Sequence, residues 1–71
     1  MNDYLIVIEK TGTGFSAYSP DVLGCIATGG TREEVEKEMH DALEFHFEGL
    51  RLEGLPIPLP QSYSSHVRLA A

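Results

Sequence analysis

Three histidines, one cysteine and a Gly-Gly-Thr step are the groups in this sequence with an obvious chemical use, and their spacing decides what each can do. His40 and His46 lie six residues apart in a stretch of helical periodicity, so at about 100° per residue they point about 120° away from each other. His66 stands on another segment with no cysteine or carboxylate motif around it, so the histidines form no metal-ligand set. His46 falls within an apolar stripe, which predicts either a buried neutral imidazole bonded to backbone or a pH-sensitive interface residue. Cys25 has no CxxC partner and no His or Asn at a spacing that would make it a nucleophile; its place in an apolar run predicts a small packed side chain. Gly29-Gly30-Thr31 at a helix start offers free backbone N–H groups to an anion, but Glu33 and Glu34 behind it repel a phosphate, and a turn plus cap explains it. No catalytic, cofactor-binding or metal-binding set is predicted.

The elements follow from pattern. Tyr4–Lys10 carries apolar residues on both alternating sets, Tyr4, Ile6 and Ile8 against Leu5 and Val7, which predicts a strand wanting cover on both faces. Thr11-Gly12-Thr13-Gly14 supplies a hairpin turn, and Phe15–Ser19 returns as a second strand. Pro20-Asp21 breaks it, with Asp21 as a turn-forming residue, and Leu23–Thr28 forms a third strand. Thr31 is the N-cap of a helix, with Glu34 placed to close a capping box. Along that helix Val35, Met39, Ala42, Leu43, His46 and Leu50 share one face; Lys37, Asp41, Glu44 and Glu48 lie opposite, and Phe45 and Leu52 project on the flank as candidates for a subunit contact. Gly54 stops the helix and Leu55–Pro60 is an extended Pro-rich connector. Tyr63–Leu69 alternates as a half-exposed fourth strand. A right-handed crossover sets that strand parallel to and beside the first. The expected architecture is α+β, a single domain over residues 1–71 of order β-β-β-α-β, with a mostly antiparallel sheet in the order 3-2-1-4 and one helix packed on one face.

A chain of 71 residues buries only about 60% of the surface its unfolded form exposes, so one core is marginal. The lone cysteine excludes an internal disulfide and fits a reducing cytosol. Oligomerisation, as dimer or tetramer, is the expected source of further burial, with a second copy covering the bare sheet face or extending an edge. The N-terminus has no basic region, and its apolar run Leu5–Ile8 is shorter than a signal segment or a membrane span, which predicts a cytoplasmic protein. The formal charge of −6 argues against direct nucleic-acid binding and suits a basic partner.

The segment from Phe15 to Val35 resembles the signature of the HicB-like antitoxins through Phe15, Ala17, Pro20, Asp21, Gly24, Cys25, Ala27, Gly29 and Thr31, with Glu33 and Glu34 behind. Leu23 departs from the proline usual before the Gly-Cys pair, which makes the turn less stiff. The resemblance implies a partial ribonuclease-H-like sheet. Nuclease chemistry on such a core needs carboxylates gathered at strand ends around divalent ions; Asp3 lies at a strand edge and Asp21 in a turn, so no enzyme activity is expected. What the resemblance implies is a non-enzymatic antitoxin that binds a small basic HicA-type toxin, an mRNA-cleaving ribonuclease, and blocks it. Asp41, Glu44, Phe45 and Glu48 are the residues expected to face that partner. The sequence ends at Ala71, so no DNA-binding segment of its own is expected. The alternative is an orphan regulatory module whose oligomer holds a small molecule between subunits.

Overall fold

A three-stranded antiparallel sheet in the order β1-β2-β3 carries one long helix on one face. The computed structural model describes residues 2–70, so the two ends of the expected 1–71 domain lie outside the described residues. The strands are β1 (Val7–Lys10), β2 (Phe15–Ser19) and β3 (Val22–Gly29), and the helix is α1 (Arg32–Leu52). The α+β class with its single helix is as expected.

Register sorts the sheet into two faces. Ile8, Ala17 and Ala27 lie opposite one another across the three strands and face α1. Val7, Tyr18 and Ile26 form the neighbouring row and, one residue out of phase, point to the other face. The core is small: Ala17, Val22, Cys25, Val35 and Met39 are its buried apolar residues, with Ile6, Ile8, Phe15, Leu43 and Phe47 among those packed around it. Small side chains on the strands let α1 approach closely. At Gly29 the approach is extreme, because a Cβ there would stand 2.7 Å from the backbone nitrogen of Val35.

The helix begins and ends on local chemistry. Thr31 Oγ1 accepts from the Glu34 N–H at 3.1 Å, and the Glu34 carboxylate reaches back to the Gly30 N–H at 3.0 Å, one residue before the cap itself. At the far end the Gly54 N–H donates to the Arg51 carbonyl and the Leu55 N–H to that of Leu50, the paired bonds of a Schellman close. The Gly-Gly-Thr step thus serves as a turn and cap, with the chain's own carboxylate where an external anion would sit.

Three sequence expectations need correction. The first strand starts at Val7 rather than Tyr4, because Val7 pairs with Tyr18 and β2 ends at Ser19, before Pro20, leaving Tyr4–Ile6 without a partner strand. His46 is half-buried rather than buried and lies 6.1 Å from the Phe47 ring, not in a bonded pocket. The helix stripe drifts toward Phe47, whose ring packs 5.0 Å from Tyr4.

The third correction is the fourth strand. Tyr63–Leu69 is not in the sheet, and Tyr63, Val67 and Leu69 are exposed, so the order 3-2-1-4 reduces to β1-β2-β3. The path of the connector explains why. The Tyr4 hydroxyl donates to the Pro58 carbonyl at 2.6 Å, and Asp21 then accepts from the Gln61 N–H at 3.0 Å, the Ser62 N–H at 3.0 Å and the Ser62 hydroxyl at 2.9 Å. Asp21 sits in the β2–β3 turn, so the connector passes β1 and is captured on the side of the sheet away from the free edge of β1. Beyond Ser62 the chain leaves the body. The radius of gyration of 13.8 Å records this, against about 11 Å for a compact chain of this length.

The same motif bends β3. Ser19 pairs with Val22 but Tyr18 pairs with Ile26, so Leu23-Gly24-Cys25 is a bulge. Gly24 takes φ +80 there, a left-handed conformation that costs a side-chain-bearing residue about 1–2 kcal/mol. The bulge shifts the phase of the strand so that Val22, three residues before Cys25, shares the core face with it, while Leu23 and Ile26 stay outside.

Both glycines can be tested directly. Gly24→Ala should lower the unfolding free energy by about 1–2 kcal/mol, and Gly29→Ala by about 1–3 kcal/mol through its clash with the backbone of Val35, both read from urea midpoints at constant slope. Hydrogen bonds from Ser62 first, and then from Gln61, hold the Asp21 carboxyl below its usual range. The anchor is therefore complete above about pH 4, the ordinary aspartate value, and is lost as pH falls through the lower folded value. Asp21→Asn at neutral pH should speed amide exchange at Gln61 and Ser62 by at least about tenfold while β2 amides are unchanged.

Candidate partner-binding surface

The four residues singled out by sequence, Asp41, Glu44, Phe45 and Glu48, are spaced by three and four along α1 and so form one contiguous ridge. All four lie outside the buried core, and Phe45 stands 72% exposed among the carboxylates. An aromatic ring left this bare on a rigid helix has a large apolar area still to bury.

The charges around it are locally arranged. Lys37 Nζ donates to Asp41 at 2.9 Å, and His40 Nδ1 lies 3.3 Å from the same carboxylate and 3.6 Å from that of Glu44. Arg51 reaches Glu48 at 3.6 Å. The hydrogen bond from Lys37, and then that from His40, hold the Asp41 carboxyl below its usual range, while Asp41 holds the Lys37 ammonium above its own. These pairs are open to water, which screens them, so they orient side chains more than they stabilise the fold. The helix carries Glu33, Glu34, Glu36, Glu38, Asp41, Glu44 and Glu48 against Arg32, Lys37 and Arg51, and its field is negative.

Grooves flank the helix on both sides. Between α1 and β3 lies one of about 640 Å³, walled by Phe45, His46, Leu50, Ile26 and Leu52. Phe45 therefore belongs both to the acidic ridge and to an apolar groove, a connection that helix periodicity alone does not reveal. Between α1 and the segment leading into β1 lies another of about 670 Å³, lined by Tyr4, Ile6, Leu43, Phe47 and Ile57 of the connector and rimmed by Asp3, Glu36 and Glu44.

The remaining candidates separate. His40, Asp41 and Glu44 bring ligand atoms within 4.8 Å of one another, but all three are exposed and already engaged in the ion pairs above, so the ridge reads as a charged face. His46 lines the Phe45 groove and His66 is exposed on the connector's far end. Burial pushes the Cys25 thiol up, away from the thiolate a nucleophile needs. Asp3 is exposed beside β1, and the Asp21 carboxylate is committed to the connector. Sequence pattern marks Asp21 only as a turn residue; its role as an anchor emerges from the fold.

The fold and surface together define a small α+β domain, three antiparallel strands under one helix that carries an acidic, aromatic-bearing ridge. The chain belongs to the HicB-like antitoxin family of bacterial toxin-antitoxin systems, whose sequence profile matches residues 4–69. Two relatives are an uncharacterized 14.9 kDa protein of Haemophilus phage HP1, 40% identical over 47 residues, and a UPF0150 protein of Synechocystis sp., 33% identical over 57 residues. The matches cover 66% and 79% of this chain, and 35% and 72% of those relatives, so the chain matches about a third of the phage protein. A chain in a solved HicA3 and HicB3 toxin-antitoxin complex superposes with a TM-score of 0.72 at 40% identity, over 83% of this chain and 70% of that one. The crystal structure of antitoxin HicB3 gives 0.69 at 42% identity, over 80% and 42%. Among the described residues, no helix is long and apolar enough to cross a membrane.

Phe45 and Met39 make a matched pair for separating surface from core. Phe45→Ala should leave the unfolding free energy within about 0.5 kcal/mol of the parent, whereas Met39→Ala, at a fully buried position, should cost about 2–5 kcal/mol; chemical denaturation of both variants checks this.

Proposed function

We propose that this chain is an antitoxin-type binding protein that captures a small basic HicA-type, mRNA-cleaving toxin on the α1 ridge and holds it inactive, with no catalytic step of its own. The observation that carries the reading is the likeness, at 40% identity over 83% of the chain, to a chain of a HicA3 and HicB3 toxin-antitoxin complex. The ridge supplies the physics such a role needs. Asp41, Glu44 and Glu48 draw in a basic surface and reject acidic ones, and Phe45 buries apolar area once contact is made. Charge sets the rate of encounter, and the desolvated ring sets the residence time.

Co-expression with a HicA-type toxin should restore growth and yield a complex that co-purifies. Glu44→Lys with Glu48→Lys should slow association by about tenfold or more at low salt, an effect that fades at high salt. Phe45→Ala should leave association nearly unchanged and speed dissociation by about thirtyfold, the equivalent of a 2 kcal/mol hot spot. Absence of both complex and rescue with the unaltered chain would overturn the reading.

A further inference from the structure

The stretch beyond Ser62 sets Tyr63, Ser65, Val67 and Leu69 on one alternating set, and the apolar side chains of that set lie open to solvent. Tyr63, Val67 and Leu69 are 89%, 82% and 78% exposed, while Ser64, His66 and Arg68 occupy the alternate positions. Three apolar side chains on one side of an extended chain are a strand with its face missing. Asp21 fixes where the stretch departs, at the β2–β3 turn.

The sheet offers two edges to receive such a strand, and they differ. β3 is interrupted by the Leu23-Gly24-Cys25 bulge with its left-handed glycine, a device that blunts an edge. β1 has no bulge, and its unpaired approach Tyr4-Leu5-Ile6 has neither charge nor proline. Beside that approach runs the groove lined by Tyr4, Ile6, Leu43 and Phe47, with Ile57 of the chain's own connector at its border.

Charge makes the same choice of occupant. Residues 61–70 contain Arg68 and no Asp or Glu, in a chain of net charge −6. The β1 groove is rimmed by Asp3, Glu36 and Glu44, with Arg51 as its one permanent cation among the described residues. A second copy brings a partner segment of matching length, pattern and sign.

We propose that Tyr63–Leu69 is an exchanged arm, which adds as a strand to the free edge of β1 in a second copy of this chain and seats Val67 and Leu69 in the groove over Leu43 and Phe47. Each copy gives one arm and receives one, so the contact closes as a two-fold dimer. This goes beyond toxin binding and is tested without any toxin, so its failure leaves that reading untouched.

The test compares the unaltered chain with Val67→Asp/Leu69→Asp by light scattering after size exclusion, at about 100 μM, well above a micromolar dissociation constant. The unaltered chain should be a dimer and the double variant a monomer with an unchanged far-ultraviolet spectrum. Amides of Ile6–Ile8 should then exchange at least about tenfold faster in the variant while those of β2 stay protected. Should the double variant fail to fold, Arg68→Glu decides, with the dimer's dissociation constant expected to rise by about fivefold or more at low salt. A monomeric parent, a dimer that survives the arm substitutions, a dimer indifferent to Arg68→Glu, or β1 protection that does not change when the dimer is lost would each overturn the proposal.

Discussion

A sheet has two faces and this chain supplies one helix. Everything else in the molecule answers to that shortage. Val35 and Met39 are fully buried against Ala17 and its neighbours, and the approach is close enough that Gly29 has no room for a side chain. That single seam is the core, and a core of five buried apolar residues leaves apolar groups elsewhere without cover. Val7, Tyr18 and Ile26 form a row on the opposite face, and Leu23 stands at the bulge beside them. Domains of this size commonly complete their burial by association.

The Pro20–Cys25 motif is where the fold is coordinated. Within six residues the proline ends β2, the aspartate catches the connector, the glycine creates the bulge and the cysteine turns into the core. Without the bulge, Val22 would fall out of phase with Cys25 and Ala27 and face away from the helix, since a shift of one residue exchanges the two faces of a strand. Without Asp21, the chain beyond Pro60 would lose the carboxylate that ties it to the body.

What was legible in the sequence was local. The hairpin, the Pro-Asp turn, the Thr31 cap and the Gly54 stop are all written in residues within a few positions of where they act, and they appear where expected. Contacts at long separation were not legible. Asp21 and Ser62 are 41 residues apart, and nothing in either neighbourhood announces the other. The expected fourth strand fails for this reason: the alternation of Tyr63–Leu69 is real, but alternation says that a strand wants a partner and not which chain provides it. Phe47 escapes a stripe drawn at ideal spacing from Val35, because the ring that matters is the one Tyr4 can reach. On the helix ridge, the grouping of Asp41, Glu44, Phe45 and Glu48 was legible from spacing alone, whereas the groove that adjoins Phe45 required β3 to be in place.

Charge divides the labour between surfaces. Two copies meeting through α1 would set the same carboxylates against each other, and like charges brought together at an interface oppose association. The helix ridge is thus poorly suited to self-contact and well suited to a basic partner. The stretch after Ser62 has the opposite character, apolar on one side and free of acidic groups, so it can approach an acidic body without that penalty. With negative charge on one element and an uncovered apolar stretch on another, the two proposed contacts would fall on different surfaces. The two contacts then compete only where they share residues, and Glu44, on the ridge and on the rim of the β1 groove, is the point at which each would sense the other.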